Sequence, residues 1–137
     1  MQNDLNQITS SLQLLDEDKS ESLLSLTYSH FFETCPEGES LWEKDDPDSR
    51  AKMFNGIILT IMDNLTRPEI CENNLASDIK DHDEYGVNKG MYGLFFTSLL
   101  EALNTTLGKD FNQDMQQAWK RQLNQLEGMA HKHTCRQ

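Results

Sequence analysis

Apolar residues in this chain recur at every third or fourth position and hardly anywhere alternate with polar ones, a period that suits helices and not half-buried strands. Prolines and glycines are few, 3 and 7, and several of them mark breaks between the periodic stretches. Leu5, Ile8, Leu12 and Leu15 share a first face that ends in the charged DEDKSE turn. Leu23, Leu24, Tyr28, Phe31 and Phe32 share a second, which stops before Pro36 because the residue preceding a proline is pushed out of helical geometry. Leu41 and Trp42 give a brief apolar contact, and the EKDDPD loop then offers Asp46 or Asp48 as a cap for the next helix. That helix is the most apolar, with Met53, Phe54, Ile57, Ile58, Ile61, Met62 and Leu65 leaving little of its surface for water. A weaker amphipathic piece begins at Pro68, carries Ile70, Leu75 and Ile79, reaches His82 and breaks at Gly86. Two long helices close the pattern. The first bears Met91, Phe95, Ser98, Leu99, Ala102 and Leu103, the second Phe111, Met115, Trp119, Leu123, Leu126 and Ala130, and Gly108 separates them.

The expected product is one all-α domain over residues 1–137, with HKHTCRQ (residues 131–137) as a frayed tail. A length of 137 residues suffices to bury a single core without staples. The net charge of −11 repels a nucleic-acid backbone or an anionic bilayer, so neither is expected as a main partner. The acidic excess sits in DEDKSE, EKDDPD and DIKDHDE, where it reads as solvated connecting segments. No stretch approaches the roughly 20 apolar residues of a membrane span, and MQNDLNQITS lacks the build of a signal peptide. A soluble, cytoplasmic protein is the expectation. Its three cysteines, Cys35, Cys71 and Cys135, form no CxxC pair and fit reduced thiols. The glycosylation triplets at Asn64 and Asn104 then read as chance matches.

Four histidines occur, so each can be weighed alone. His131, His133 and Cys135 form an HxHxC cluster, but three ligands on a loose terminus rarely define a metal site. His30 falls on the polar side of its helix. His82 differs: it ends a helix just before an aromatic residue and a glycine, in a chain rich in large apolar rings. A haem needs a neutral imidazole as axial ligand and an apolar slot that keeps water from the iron, and this composition supplies both. Position alone leaves an ordinary cap or surface histidine as the commoner reading.

From His82 the sequence reads H-D-E-Y-G-V-N-K-G-M-Y-G-L-F-F, then L-G-K-D-F and Q-A-W. Upstream stand Tyr28-Ser-His-Phe-Phe32, Pro36, Leu41-Trp42, Met62-Asp63-Asn64-Leu65 and Arg67-Pro68-Glu69. In that order and over nearly the whole chain, these runs resemble the single-domain bacterial globins and the globin part of flavohaemoglobins. The resemblance implies a globin fold, helices packed around a pocket for haem b, with His82 as the proximal iron ligand. It also implies that Tyr28 carries the distal hydroxyl that stabilises partial negative charge on bound dioxygen. Ungapped counting back from His82 places the usual distal polar position at Arg50, with Lys52 close by. These cations either fold over the pocket, pair with haem propionates or face solvent. Trp42, Phe54, Ile58, Tyr85, Val87, Tyr92 and Phe95 complete the implied pocket wall.

Three departures from the family pattern stand out. Trp42 replaces the usual phenylalanine, Asp81 stands where a basic residue is frequent, and Thr134 falls about where a glutamate partners the proximal tyrosine, here Tyr92. The resemblance implies reversible binding of dioxygen, nitric oxide or carbon monoxide for delivery or sensing, in a monomer or homodimer. Two alternatives remain open. One is nitric oxide dioxygenation with electrons from an external reductase, since no dinucleotide-binding fingerprint occurs in the sequence. The other is a helical interaction module that has lost the cofactor.

Overall fold

The computed structural model describes residues 2–39 and 47–134. Seven α-helices follow one another: α1 (Gln2–Gln13), α2 (Glu17–Thr34), α3 (Pro36–Glu39), α4 (Pro47–Thr66), α5 (Pro68–Tyr85), α6 (Lys89–Leu107) and α7 (Gln113–His133). A single 3₁₀ turn at Gly108–Asp110 joins the last two, and no strand occurs among the described residues. The all-α expectation is met.

Polar side chains start the helices by taking up backbone N–H groups that have no partner within the helix. Asp16 accepts from the amide of Lys19 at 2.8 Å, Asn88 from Met91 at 3.2 Å and Asn112 from Met115 at 2.9 Å. Pro68 sits in the first turn of α5, where a missing N–H costs nothing. Of the two aspartates expected to cap α4, Asp48 lies within its first turn and Asp46 lies outside the described residues. The short α3 was not expected. It can pack under α2 because Gly38 has no side chain: a Cβ there would stand 2.5 Å from the Phe31 ring.

The helices cross in pairs, α2 along α6, α1 against α7, α4 beside α5, and α7 against both α5 and α6. Between them lies a core in which Ile8, Leu23, Ile61, Leu99, Leu103, Trp119 and Leu126 are all but sealed from water. Leu59 of α4 is the most exposed of the large apolar side chains described, at 65%, with Ile70 and Leu94 also exposed. No described helix is long and apolar enough to cross a membrane.

The buried polar side chains that link α1, α4 and α7 are paired, which offsets the cost of burying them. The Trp119 indole donates to the Ser11 hydroxyl at 2.8 Å, and that hydroxyl donates to the Ile8 carbonyl. Asp4 of α1 accepts from the Arg121 guanidinium and from Gln122, and Gln122 in turn accepts from Asn64 of α4 at 2.7 Å. Asn64 is therefore part of the interior, which suits the reading of its glycosylation triplet as a chance match. The last turn, expected to fray, is tied down: α7 continues to His133, and Thr134 is buried. Residues 135–137, with Cys135, lie outside the described part.

The hydrogen bond from Arg121 holds the Asp4 carboxyl below its ordinary value of 3.8. A depressed folded value means that this pair stabilises the protein above pH ~4 and loses its effect as pH falls through the folded value. Asp4→Asn is accordingly expected to cost about 1–3 kcal/mol at neutral pH, toward the lower end because Arg121 is half exposed. Denaturant melts at pH 7 and pH 3 check this. A penalty equal at both pH values would show that the charge of Asp4 plays no part.

Candidate functional site

A cavity of about 680 Å³ opens between α4, α5, α6 and α7, with Phe31 of α2 at its back. That is ample for a prosthetic group or a ligand of similar size. Its walls are mostly hydrocarbon and aromatic: Met53 and Ile57 from α4, Leu75 and Ile79 from α5, Met91, Phe95 and Phe96 from α6, Leu126 and Ala130 from α7. Polar groups reach it at few points, chiefly Lys52, Thr60, Asp78, His82 and Tyr92.

His82 owes its place to the way α5 ends. Gly86 adopts a left-handed conformation (φ 98°), which a residue without Cβ takes at little cost. The chain then folds back so that the Val87 amide bonds to the His82 carbonyl at 3.1 Å and the Gly86 amide to that of Asp83 at 3.2 Å. This pair of bonds is a Schellman closure, and the residue that follows its glycine normally packs apolar side chain against the helix end. Here that residue is Val87, which lines the cavity with His82. The run His82-Asp-Glu-Tyr-Gly-Val87 is thus a helix stop that sets a histidine and a valine at one pocket wall.

The imidazole is oriented within its own helix. Nδ1 of His82 lies 2.7 Å from the Asp78 carbonyl oxygen one turn back. A carbonyl can only accept, so Nδ1 carries the hydrogen, and the neutral ring keeps its lone pair on Nε2. Among the described residues no group of three or more histidine, cysteine or carboxylate side chains gathers to hold a bare metal ion. One imidazole in an apolar cavity instead suits a metal already held by its own macrocycle. Of the HxHxC cluster, His131 points Nε2 at the Lys89 carbonyl (3.0 Å) and His133 at Glu72 (3.0 Å).

Two phenols flank this site. Tyr92 lines the cavity with its ring centroid 6.3 Å from that of His82. Its hydroxyl is buried with no hydrogen-bond partner among the described residues. Burial, and secondarily the charge of Asp83, push this phenol well above the ordinary tyrosine range, so it stays a neutral donor. Tyr28 is buried behind the cavity wall, edge-on to Phe95 at 5.4 Å, and its hydroxyl donates to the Arg50 carbonyl at 3.1 Å. Burial raises its titration above the ordinary range too, against a smaller opposing effect of Arg50. The Arg50 guanidinium stacks over the rings of Tyr28 (5.6 Å) and Phe32 (5.1 Å).

A family model described as Globin matches residues 27–130. The chain belongs to the globin family. No curated protein sequence gives a significant match. The globin match begins within α2 and ends near the close of α7, so it takes in Tyr28, His82 and every helix that borders the cavity, and leaves α1 outside. Globins are haem-based binders of diatomic gases, and the seven helices have the all-α globin architecture.

Of the pocket residues expected in this globin, His82, Val87, Tyr92, Phe95 and Lys52 line the cavity together. Phe54 and Ile58 do not line it. They face a separate space of about 410 Å³ bounded by Leu12, Leu15, Leu23 and Leu24. Arg50 packs on Tyr28 and Phe32 instead of lining the cavity. The α4 side of the cavity is built by Lys52, Met53, Gly56, Ile57 and Thr60, a stripe rotated by about one residue from the expected one. The period of α4 contained this stripe, but the helix is apolar on two faces, and periodicity does not say which faces the cofactor. Trp42 lies outside the described residues, as does the side chain of Tyr85, whose backbone closes α5.

These residues fit a haem. The walls are apolar, the one cavity imidazole presents a free Nε2, Gly56 leaves open space where a Cβ would meet nothing within 4 Å, and the orphaned Tyr92 hydroxyl awaits a polar neighbour. An unpaired buried hydroxyl costs about 1–3 kcal/mol. Tyr92→Phe is therefore expected to raise the melting temperature of the haem-free protein. An unchanged or lower value would show that the hydroxyl already has a partner.

Proposed function

We propose that this globin would hold haem b through Nε2 of His82 and reversibly bind dioxygen or nitric oxide, as a carrier or a gas sensor. The observation that carries the reading is the single imidazole in an otherwise greasy cavity, its tautomer set by the Asp78 carbonyl so that the free lone pair is on Nε2. Bound haem would supply the ferrous iron at which a diatomic gas can bind. The protein's part is to grip, to keep dry and to donate. Met91, Phe95, Phe96 and Ile57 exclude water from the slot, and Lys52, exposed at the cavity edge, suits the carboxylates of the cofactor. Tyr28 is the candidate donor to the gas. Its neutral hydrogen bond to the Arg50 carbonyl is of ordinary strength, so exchange for a more negative acceptor would be favourable.

The likeness of the His82-to-Val87 run to single-domain bacterial globins supports a member of that branch, with a separate reductase as partner if nitric oxide is oxidised. Two buried unpaired cysteines, Cys35 and Cys71, suit a reducing cytoplasm.

His82→Ala is expected to abolish the visible spectrum of histidine-ligated ferrous haem while the helical circular dichroism of the apoprotein persists. An unaltered ferrous spectrum would overturn the assignment. Tyr28→Phe removes a hydrogen bond to a charged acceptor, worth about 1.5–3 kcal/mol, so dioxygen should leave roughly ten- to a hundredfold faster. Stopped-flow displacement by carbon monoxide measures it. An unchanged rate would show that the hydroxyl stays with Arg50.

A further inference from the structure

The end of α7 is fastened to α5 at two levels. Lys132 Nζ and His133 Nε2 meet the Glu72 carboxylate at 2.9 and 3.0 Å, and Glu72 is held below the ordinary glutamate range, chiefly by the lysine. The Thr134 hydroxyl donates to the Asp83 carboxylate. Glu72 and Asp83 are 11 residues apart, three helical turns, so they share a face of α5 about 16 Å apart along its axis. One short segment of α7 therefore grips the helix near both ends, which opposes sliding and rotation of α5 against α7.

The second grip is next to the imidazole. Asp83 follows His82 directly, its carbonyl receives the Gly86 amide, and its carboxylate receives Thr134, so both backbone and side chain of this residue are held. Thr134 is 8% exposed, which keeps water from competing for the bond. The Tyr92 ring beside His82 lies in the field of the same carboxylate. Terminal helical turns are otherwise the softest part of a helix. An axial ligand, by contrast, has to be placed within about 0.5 Å.

We propose that Thr134 and Asp83 are positioning residues for His82: the hydroxyl at the end of α7 latches the carboxylate beside the imidazole and thereby fixes where the ring stands in the cavity. This rests on the reading of His82 as the axial ligand. The latch works as an outer partner of a metal-ligating histidine does, except that it acts through the neighbouring residue and the helix end instead of through the ring itself.

The test uses the full chain, haem-loaded and haem-free. Thr134→Val keeps the shape and removes the hydroxyl, and Thr134→Ser keeps the hydroxyl. In the haem-loaded ferrous protein Thr134→Val should shift the iron–imidazole stretching vibration and speed haem transfer to an acceptor apoprotein by roughly tenfold, the lower end of what outer-partner changes cost, while Thr134→Ser stays near the parent. An unshifted vibration in Thr134→Val overturns the latch. In the haem-free protein, amide hydrogen exchange over residues 82–86 should accelerate in Thr134→Val and not in Thr134→Ser. If the parent takes up no haem, the axial-ligand reading fails by itself, and exchange decides the latch: equal exchange in parent and Thr134→Val overturns it. Should Thr134→Val not fold, Thr134→Ala is read by the same measurements.

Discussion

The hydrogen bond between Nδ1 of His82 and the Asp78 carbonyl is the contact on which the chemistry of this site turns. It lies wholly within one helix, between residues one turn apart. A backbone carbonyl offers only lone pairs, so it selects the tautomer whose other nitrogen is a base. The same ring, with the hydrogen on Nε2, would carry its lone pair on Nδ1, where it faces the Asp78 carbonyl and not the cavity. The rest of the fold makes that lone pair usable: the Schellman closure at Gly86 stops α5 one turn beyond the histidine, and the aromatic and thioether side chains of α6 keep the space beside it dry.

Around this centre the helices are joined by polar links as well as by hydrocarbon. A chain of buried side chains runs from Asp4 of α1 through Gln122 of α7 to Asn64 of α4, and the Trp119 indole reaches Ser11. Such links are directional, so they fix the register of helices that greasy contact alone would let slide. They converge on α7, which touches α1, α4, α5 and α6 and ends beside Asp83. On the proposed reading, α7 is the reference against which both walls of the pocket are set.

Much of this was legible in the chain. The three-and-four rhythm marks the long helices, Pro36 and Gly86 mark two of their ends, and the Gly-Val pair after His82 is a helix stop with a physical meaning. Other features were not. Phe54 and Ile58 looked as suited to a pocket as Met53 and Ile57, because all four are large, apolar and on one helix; the packing of α4 against α1 and α2 turned the first pair away. Arg50 looked like a distal cation, yet its guanidinium finds two aromatic faces and its carbonyl takes the Tyr28 hydroxyl. The tail 131–134 looked loose because its sequence is polar, and polarity conceals that Glu72 and Asp83 wait for it on α5.

By itself, then, the sequence determined the helical class, the main helix ends and the candidacy of His82. Each of these follows from relations among residues a turn or two apart: periodicity, capping, the left-handed glycine. Tertiary structure alone decided which apolar stripe of α4 meets the cavity, where Tyr28 spends its hydrogen and what becomes of the chain's end. Those outcomes depend on pairs separated by 22 residues for Tyr28 with Arg50 and 51 for Asp83 with Thr134. No local period encodes such pairings, because the free energy that selects them comes from how whole helices bury their faces against one another.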